Sequence, residues 1–281
     1  MGIRRYMKEL TRDRPIDGDP RVWIWRPNQG GHNFGDSLFL ALVNRMLGRD
    51  LELAAPDFGG PRFFPGGSVL HVCRNGDLAW GVGANLNAAR WRGRRHYPTS
   101  VDIRSVRGPL TAAIVTDFLE LPEPVVAGDS ALLVPRYFPE WGSVISQGRI
   151  GYVRHISSAP TLKLPSAEVL LIDPLRDPMV VVPEILSCDL VISSSLHGII
   201  IAEAYGIPAR WLRTKAHNPP AMKYYDYYLQ TGRTPSPCAT LDAGIRAGGE
   251  PLPDLDDRML LETFPWDVFP SSNSLAMEQQ E

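Results

Sequence analysis

Cysteine is scarce: the 281 residues hold three, Cys73, Cys188 and Cys238, at wide spacings. An odd number with no CxxC pair encodes neither a disulfide framework nor a thiolate metal knuckle, so the three read as reduced core thiols. Long apolar runs are missing as well. The densest stretches, residues 180–182 and 199–202, fall far short of the ~18 apolar residues of a membrane-spanning helix. Near the N-terminus Arg4, Arg5 and Lys8 are followed by Glu9, Arg12, Asp13 and Arg14, where a signal peptide needs an apolar stretch, which predicts a cytoplasmic protein. Charge of one sign is not in excess either. With 29 Lys plus Arg against 31 Asp plus Glu, the net charge of -2 excludes a protein built to coat nucleic acid. Lysine itself is rare, since 25 of the 29 cations are Arg. The guanidinium fork pairs bidentately with phosphate and carboxylate, although GC-rich coding produces the same bias.

What is present is a globular composition, 44% hydrophobic and 21% charged, at a length that suits two average domains or one large one. Residues 1–20, charged and rich in Pro and Gly, read as a leader with a short helix at 4–10. Residues 22–25 are an apolar run leading through Pro27, Asn28, Gly30 and Gly31 into a helical pattern that Asp36 opens. Strands are predicted at 68–73, 78–82, 101–106 and 125–126, the last of them buried, and a helix at 109–119. Residues 136–148 interrupt the rhythm and read as a linker between a first unit, 21–135, and a second, 149–270. In the second, strands are predicted at 150–153, 169–172, 190–193 and 209–212. Helices are predicted at 180–186 and 198–205, and another at 256–263 before a polar tail at 271–281. Alternating strands and helices imply an α/β fold with a mostly parallel sheet.

In such a sheet ligands sit beyond the carboxyl ends of the strands, where the N–H groups of a following helix attract anions. Ser193, Ser194, Ser195, His197 and Gly198 fall at one such strand-to-helix turn. Three hydroxyls, an imidazole and a glycine there suit a phosphate or carboxylate, and His197 exchanges a proton near neutral pH. The alternative is that the serines cap the helix and His197 packs between units. Asp36 either orients or deprotonates a hydroxyl or caps its helix. Gly128 and Asp129 read as a turn that shapes the cleft, with direct contact to a ligand as the lesser alternative. Lys223 and Asp226, set among Tyr224, Tyr225, Tyr227 and Tyr228, suit a sugar site or a core cluster equally. Glu203 reads as a salt-bridge partner.

The segment SSSLHG followed by IAEAYGIP, together with HNFGDSL at 32–38, SVRGPLT at 105–111, AGDSALL at 127–133 and KYYDYY at 223–228, resembles the polysaccharide pyruvyl transferase family. The resemblance runs from residue 22 to about residue 230. It implies two Rossmann-like domains facing a cleft, similar to the GT-B glycosyltransferases, with the acceptor on the N-terminal side and the donor on the C-terminal side. It implies transfer of pyruvate from phosphoenolpyruvate to two hydroxyls of one sugar in a lipid-linked exopolysaccharide repeat unit, with no cofactor and no metal. Carried onto this chain, His197 and Asp36 are the catalytic candidates. Arg107, Arg104, Ser194, Ser195 and Gly198 hold phosphoenolpyruvate, and Asn33, Lys223 and Asp226 face the acceptor sugar. Many members carry Arg two residues before the His, where this chain has Ser195, so Arg107, and after it Arg104, is expected to supply the missing cation. Two other functions fit the same fold. A GT-B glycosyltransferase would use Glu203 on a nucleotide sugar, and a silent carbohydrate-binding subunit would bind sugar without releasing phosphate.

Three further features carry less. GVGANL at 81–86 lacks the third glycine and the acidic residue of a dinucleotide fingerprint. His71 with Cys73, and His155 with Arg154, have no metal-ligand spacing. Arg90, Arg92, Arg94, Arg95 and His96 around Trp91 form either a solvated loop or a weak contact for a lipid diphosphate at the inner face of the membrane.

Overall fold

Short apolar runs that end in glycine or serine become parallel strands, and the parallel arrangement forces each connection to cross over the sheet. The computed structural model describes residues 20–27, 31–85, 98–158, 164, 166–213 and 221–270. The first half holds β1 (Arg21–Val22), α1 (Phe34–Leu47), β2 (Arg62–Phe64), β3 (Leu78–Ala79), β4 (Asp102–Ile103), β5 (Ser105–Val106), α2 (Pro109–Ala113) and β6 (Val125–Val126). Strands β1 to β4 pair in parallel in chain order, and β5 pairs with β6. A parallel bridge from Val82 to Val106 ties the two sets together. After α3 (Val134–Tyr137) come β7 (Arg149–Val153), β8 (Val169–Ile172), α4 (Pro178–Leu186), β9 (Cys188–Ser193), α5 (Leu196–Ala204) and β10 (Ala209–Trp211). This second sheet is parallel with order β10-β9-β7-β8. The chain leaves β7 in one direction and returns on its other side at β9, so the sheet has a switch point between those strands. Three helices follow, α6 (Met222–Gln230), α7 (Leu241–Ala247) and α8 (Arg258–Glu262). The α/β class with parallel sheets is therefore the one the alternation predicts.

Several local expectations change. Residues 68–73 form no strand; the chain turns at Gly66 and Gly67, both at positive φ, and Leu70–Val72 is a 3-10 turn. The strand of that region is β2, three fully buried residues confined between Pro61 and Pro65 and too short to show a period. Residues 101–106 split into β4 and β5, and the helix predicted at 109–119 widens into a π-helical turn at Ile114–Phe118. Val125 and Val126 form a strand but are exposed rather than buried. Helix α4 starts at Pro178, two residues earlier than expected, because the Asp177 carboxylate accepts the Met179 N–H and Pro178 sits in the first turn. Within 136–148, Phe138 and Trp141 stack at 4.4 Å and pack into the core, so the segment is ordered by its aromatics.

The C-terminal segment leaves the second sheet altogether. Phe264 meets Phe63 and Trp80 edge-on at 6.1 Å and 5.0 Å, Phe269 tilts onto Phe63 at 4.9 Å, and Trp80 Nε1 donates to the Leu260 carbonyl. A residue of α8 and the two phenylalanines after it thus close the first sheet. Among the described residues no helix is long and apolar enough to cross a membrane.

Candidate functional site

The carboxyl ends of strands from both sheets deliver ionisable side chains to one place. Arg107 follows β5, Asp129 follows β6, and His197 lies in the first turn of α5 just beyond β9. Helix α1 begins at Phe34, so Asp36 occupies its first turn, and α6 carries Lys223. The imidazole of His197 rests on Gly35 of α1: a Cβ there would stand 1.9 Å from Nδ1. Phe34 and Phe39 meet the ring edge-on, at 6.4 Å and 5.2 Å. Only a glycine allows this approach. Gly35→Ala is expected to expel His197 from its seat and to lower activity with it, while a melting curve near that of wild type would show that the fold survives; full activity in this variant would show that the seat is not needed.

Arg107 is fully buried. Its Nε donates to Asp226 at 3.2 Å and its Nη1 to the Ser68 hydroxyl at 3.0 Å, whereas Nη2 makes no hydrogen bond. Asp226 also accepts the Thr111 N–H at 3.0 Å and the Thr111 hydroxyl at 2.6 Å. Asp226 is thus completely buried and spends its oxygens on positioning Arg107 and α2, so its expected place facing an acceptor sugar gives way to a supporting one. Asp129 uses one oxygen to accept the Ala131 N–H at 3.1 Å. Its other oxygen, Oδ2, lies 3.9 Å from both Arg107 Nη1 and His197 Nε2, and like His197 Nε2 it has no hydrogen bond. Two buried polar atoms without hydrogen bonds, an imidazole nitrogen and a carboxyl oxygen, therefore meet beside the Arg107 guanidinium, whose own unpaired Nη2 rests against Gly83. A buried polar atom left unsatisfied costs about 1–3 kcal/mol, so these atoms favour a polar partner.

Burial sets the protonation states. It pushes His197 down to about 3, with Lys223 and Arg107 adding to the effect, so the ring is neutral at pH 7. Burial raises Asp36 to about 7; Lys223 opposes the shift, Asp129 adds to it, and the amide of Asn33, which donates to Asp36 Oδ2, lowers it. Asp129 is raised to about 6 by burial against the pull of Arg107. Lys223 falls to about 8 through burial and Arg107, with Asp36 holding it up. His197 is thus a neutral acceptor, and the groups that titrate near neutrality are the carboxyls and the lysine. A carboxyl raised on folding binds a proton that the unfolded chain has released, so its contribution to stability is complete below about pH 4 and is lost as pH rises through about 7. Asp36→Asn is accordingly expected to raise the melting temperature more at pH 8 than at pH 5, and an equal change at both would show that Asp36 ionises normally.

The remaining candidates divide. Asn33 reaches Asp36 and so joins the site. Arg104 does not: it forks onto Asp267 at 2.8 Å and 2.7 Å and reaches Asp102 at 2.9 Å, which fastens the C-terminal segment to β4 instead of supplying a ligand cation. The Ser194 hydroxyl lies 3.4 Å from the Tyr152 hydroxyl, and its carbonyl accepts Tyr224 Oη at 2.7 Å. Ser195 is the N-cap of α5 without a side-chain capping bond; the Ser193 hydroxyl accepts its N–H instead, at 3.0 Å. Gly198 serves packing, since a Cβ would stand 2.4 Å from Ser193 Oγ and 2.9 Å from Val153 Cβ. The cations that act on His197 are Lys223 of α6 and Arg107. Of Tyr224, Tyr225, Tyr227 and Tyr228, all but Tyr225 are fully buried, and Tyr224 stacks on Trp211 at 4.2 Å, so these rings are core rather than a sugar platform. Glu203 is buried between the Tyr227 hydroxyl and both terminal nitrogens of Arg233, all at 2.7 or 2.8 Å, which leaves it unavailable to a nucleotide sugar. Asp129, for which direct contact was the lesser reading, stands within the cluster; its signal was the GDS turn directly after a strand. Residues 90–96 lie outside the described residues.

The chain is 30% identical over 176 residues to the uncharacterized protein L143 of Acanthamoeba polyphaga mimivirus, covering 59% of each. It is 32% identical over 144 residues to the succinoglycan biosynthesis protein ExoV of Rhizobium meliloti, covering 50% of this chain and 44% of that one. It thus spans roughly half the length of these relatives. A crystal structure of the uncharacterized protein KP1_0663 from Klebsiella pneumoniae superposes with a TM-score of 0.50 at 11% identity, over 85% of this chain and 100% of that one, a likeness of fold alone. The family model for polysaccharide pyruvyl transferase matches residues 33–215, which run from Asn33 through Asp36, Arg107, Asp129 and His197, and the chain belongs to that family.

Proposed function

We propose that the chain transfers a pyruvyl group from phosphoenolpyruvate to two hydroxyls of one sugar in an exopolysaccharide repeat unit, forming a ketal and releasing phosphate. Family membership and the likeness to a succinoglycan biosynthesis protein support the reaction class. The observation that carries the donor is the meeting of His197 Nε2 and Asp129 Oδ2, both without a hydrogen bond, with the buried Arg107 guanidinium, a nest near enough to Lys223 for the two cations to act on His197 together. A donor with carboxylate and phosphate groups supplies the charge this nest lacks, and its arrival draws the His197 pKa upward. In this reading the two sheets are Rossmann-like halves facing a cleft in the GT-B manner, with phosphoenolpyruvate between Arg107 and His197.

The reaction asks for a proton on the methylene carbon, attack of one hydroxyl on the adjacent carbon, cleavage of the carbon–oxygen bond to phosphate, and attack of a second hydroxyl. Asp36, half protonated near pH 7, is the acid suited to the methylene, and neutral His197 accepts the proton of the attacking hydroxyl. Arg107 and Lys223 hold the donor's charge through the transfer. Asn33 orients Asp36. No cofactor and no metal enter. The acceptor is a lipid-linked oligosaccharide met at the inner face of the cytoplasmic membrane.

Phosphoenolpyruvate at a hundred times its Kd is expected to stabilise the protein by about 2.7 kcal/mol, roughly 5 °C in melting temperature, while a panel of nucleotide sugars leaves it unchanged. Mass spectrometry of lipid-linked oligosaccharides incubated with protein and phosphoenolpyruvate then detects the added pyruvyl group. Stabilisation by a nucleotide sugar and not by phosphoenolpyruvate would replace this function with glycosyl transfer.

A further inference from the structure

We infer that Asp129 receives the donor in its protonated form and delivers that proton to the departing phosphate. The inference rests on the pyruvyl-transfer reading and adds a residue to it. Asp129 is completely buried, with Oδ1 fixed by the Ala131 N–H and Oδ2 unpartnered 3.9 Å from the guanidinium of Arg107 and the imidazole of His197. An ionised carboxylate at that point neutralises the cations an anionic donor needs and repels its phosphate directly. A protonated one turns Oδ2 into a hydrogen-bond donor aimed into the same nest. The charged groups facing it are Arg107 after β5, His197 of α5, Asp226 of α6 and Asp36 of α1. Burial already lifts its pKa to about 6, and a bound anion lifts it further.

The protons balance. As the carbon–oxygen bond to phosphate breaks, the electron pair goes to the phosphate oxygen and the proton of Asp129 follows it, so phosphate leaves as the hydrogen phosphate. The methylene carbon takes the second proton. The two protons lost by the acceptor hydroxyls restore the site to its starting state: one is taken by His197 and passed on to Asp36, which protonated the methylene, and the other returns to Asp129.

Titration calorimetry of phosphoenolpyruvate at pH 8, in two buffers of different ionisation enthalpy, measures the protons taken up on binding. The phosphate, whose second ionisation lies at about pH 6, arrives fully ionised there, and any proton it gains in the site is common to wild type and the variant. Wild type is expected to take up more protons than Asp129→Asn by about one per site. The variant keeps the Ala131 contact through its amide oxygen and offers an N–H where the acid offered an O–H. It is expected to bind phosphoenolpyruvate at least as tightly as wild type at pH 8, with turnover lowered ~100- to 10,000-fold. Equal proton uptake in the two proteins, or a variant that turns over like wild type, overturns the inference while leaving pyruvyl transfer intact. If Asp129→Asn does not fold, the pH dependence of wild-type affinity decides: the Kd must rise, by up to about tenfold per pH unit, above the pKa of about 6 of the free carboxyl and level off only above that of the liganded one, and a flat profile between pH 7 and 8 overturns the inference. Wild type that binds no phosphoenolpyruvate at all defeats the pyruvyl-transfer reading itself.

Discussion

Replacing His197 by alanine is expected to lower turnover ~100- to 10,000-fold, the range over which a positioned acid–base group contributes. The protein should meanwhile stay folded, at a cost on the order of 1–2 kcal/mol. Two features separate the effects. The ring is seated on Gly35 between Phe34 and Phe39, so its removal leaves a hole that part of the surrounding shell can fill. Its Nε2, however, has no hydrogen bond, so no buried partner is stranded when it goes. Comparing kcat by phosphate release with melting temperature tests this directly. Near wild-type turnover would remove His197 from the chemistry and leave it a packing residue between the two sheets.

Arg107 is the opposite case, because binding and folding share one side chain. In Arg107→Ala the buried carboxylates of Asp226 and Asp129 lose their cation, and breaking such a pair costs about 3–5 kcal/mol. The variant is expected to melt well below wild type and to lose stabilisation by phosphoenolpyruvate. Arg107→Lys restores charge and part of the stability, but an ammonium on a flexible stem cannot reach Asp226, Ser68 and a ligand at once. A lost bond to a charged group is worth about 1.5–3 kcal/mol, so donor affinity in this variant should remain roughly 10- to 100-fold below wild type. Asp226→Asn serves as the companion: it leaves every ligand-facing atom in place yet loosens the Nε contact, and is expected to weaken donor binding through Arg107 alone. Equal donor affinity in wild type, Arg107→Lys and Asp226→Asn would move the anion site away from β5.

The larger elements were legible because hydrophobic period and turn chemistry are local properties. Helix α1 shows its 3.6-residue spacing, β7, β8 and β9 are apolar runs bounded by turns, and Gly206 with Pro208 ends the region of α5. The elements that escaped have a local signal dominated by something else. β2 is three residues between prolines, α6 hides behind a run of tyrosines, and α7 lies in a stretch of Gly, Pro and charge, where a Thr240 cap starts it.

At the site, residue types at strand ends and helix starts brought forward His197 and Asp36, because chemistry-bearing side chains at such turns are visible in one dimension; Lys223 came from the tyrosine-rich stretch, and Arg107 and Asn33 came only from the family resemblance. Partnership is not. Arg104 and Arg107 stand three residues apart, and only the return of Asp267 to β4 and of Asp226 to α2 sends one to the surface and the other into the interior. The same holds for Asp129, which reads as a turn residue and does cap a turn with one oxygen; what makes its second oxygen chemically available is a histidine and an arginine brought in by two other strands. The sequence by itself determined the α/β class, the parallel strands of the second half and the identity of most ionisable groups, since these depend on neighbours in the chain. Tertiary structure alone decided which of those groups are buried together, and therefore which are charged. Desolvation and Coulomb interaction act through space across residues far apart in sequence.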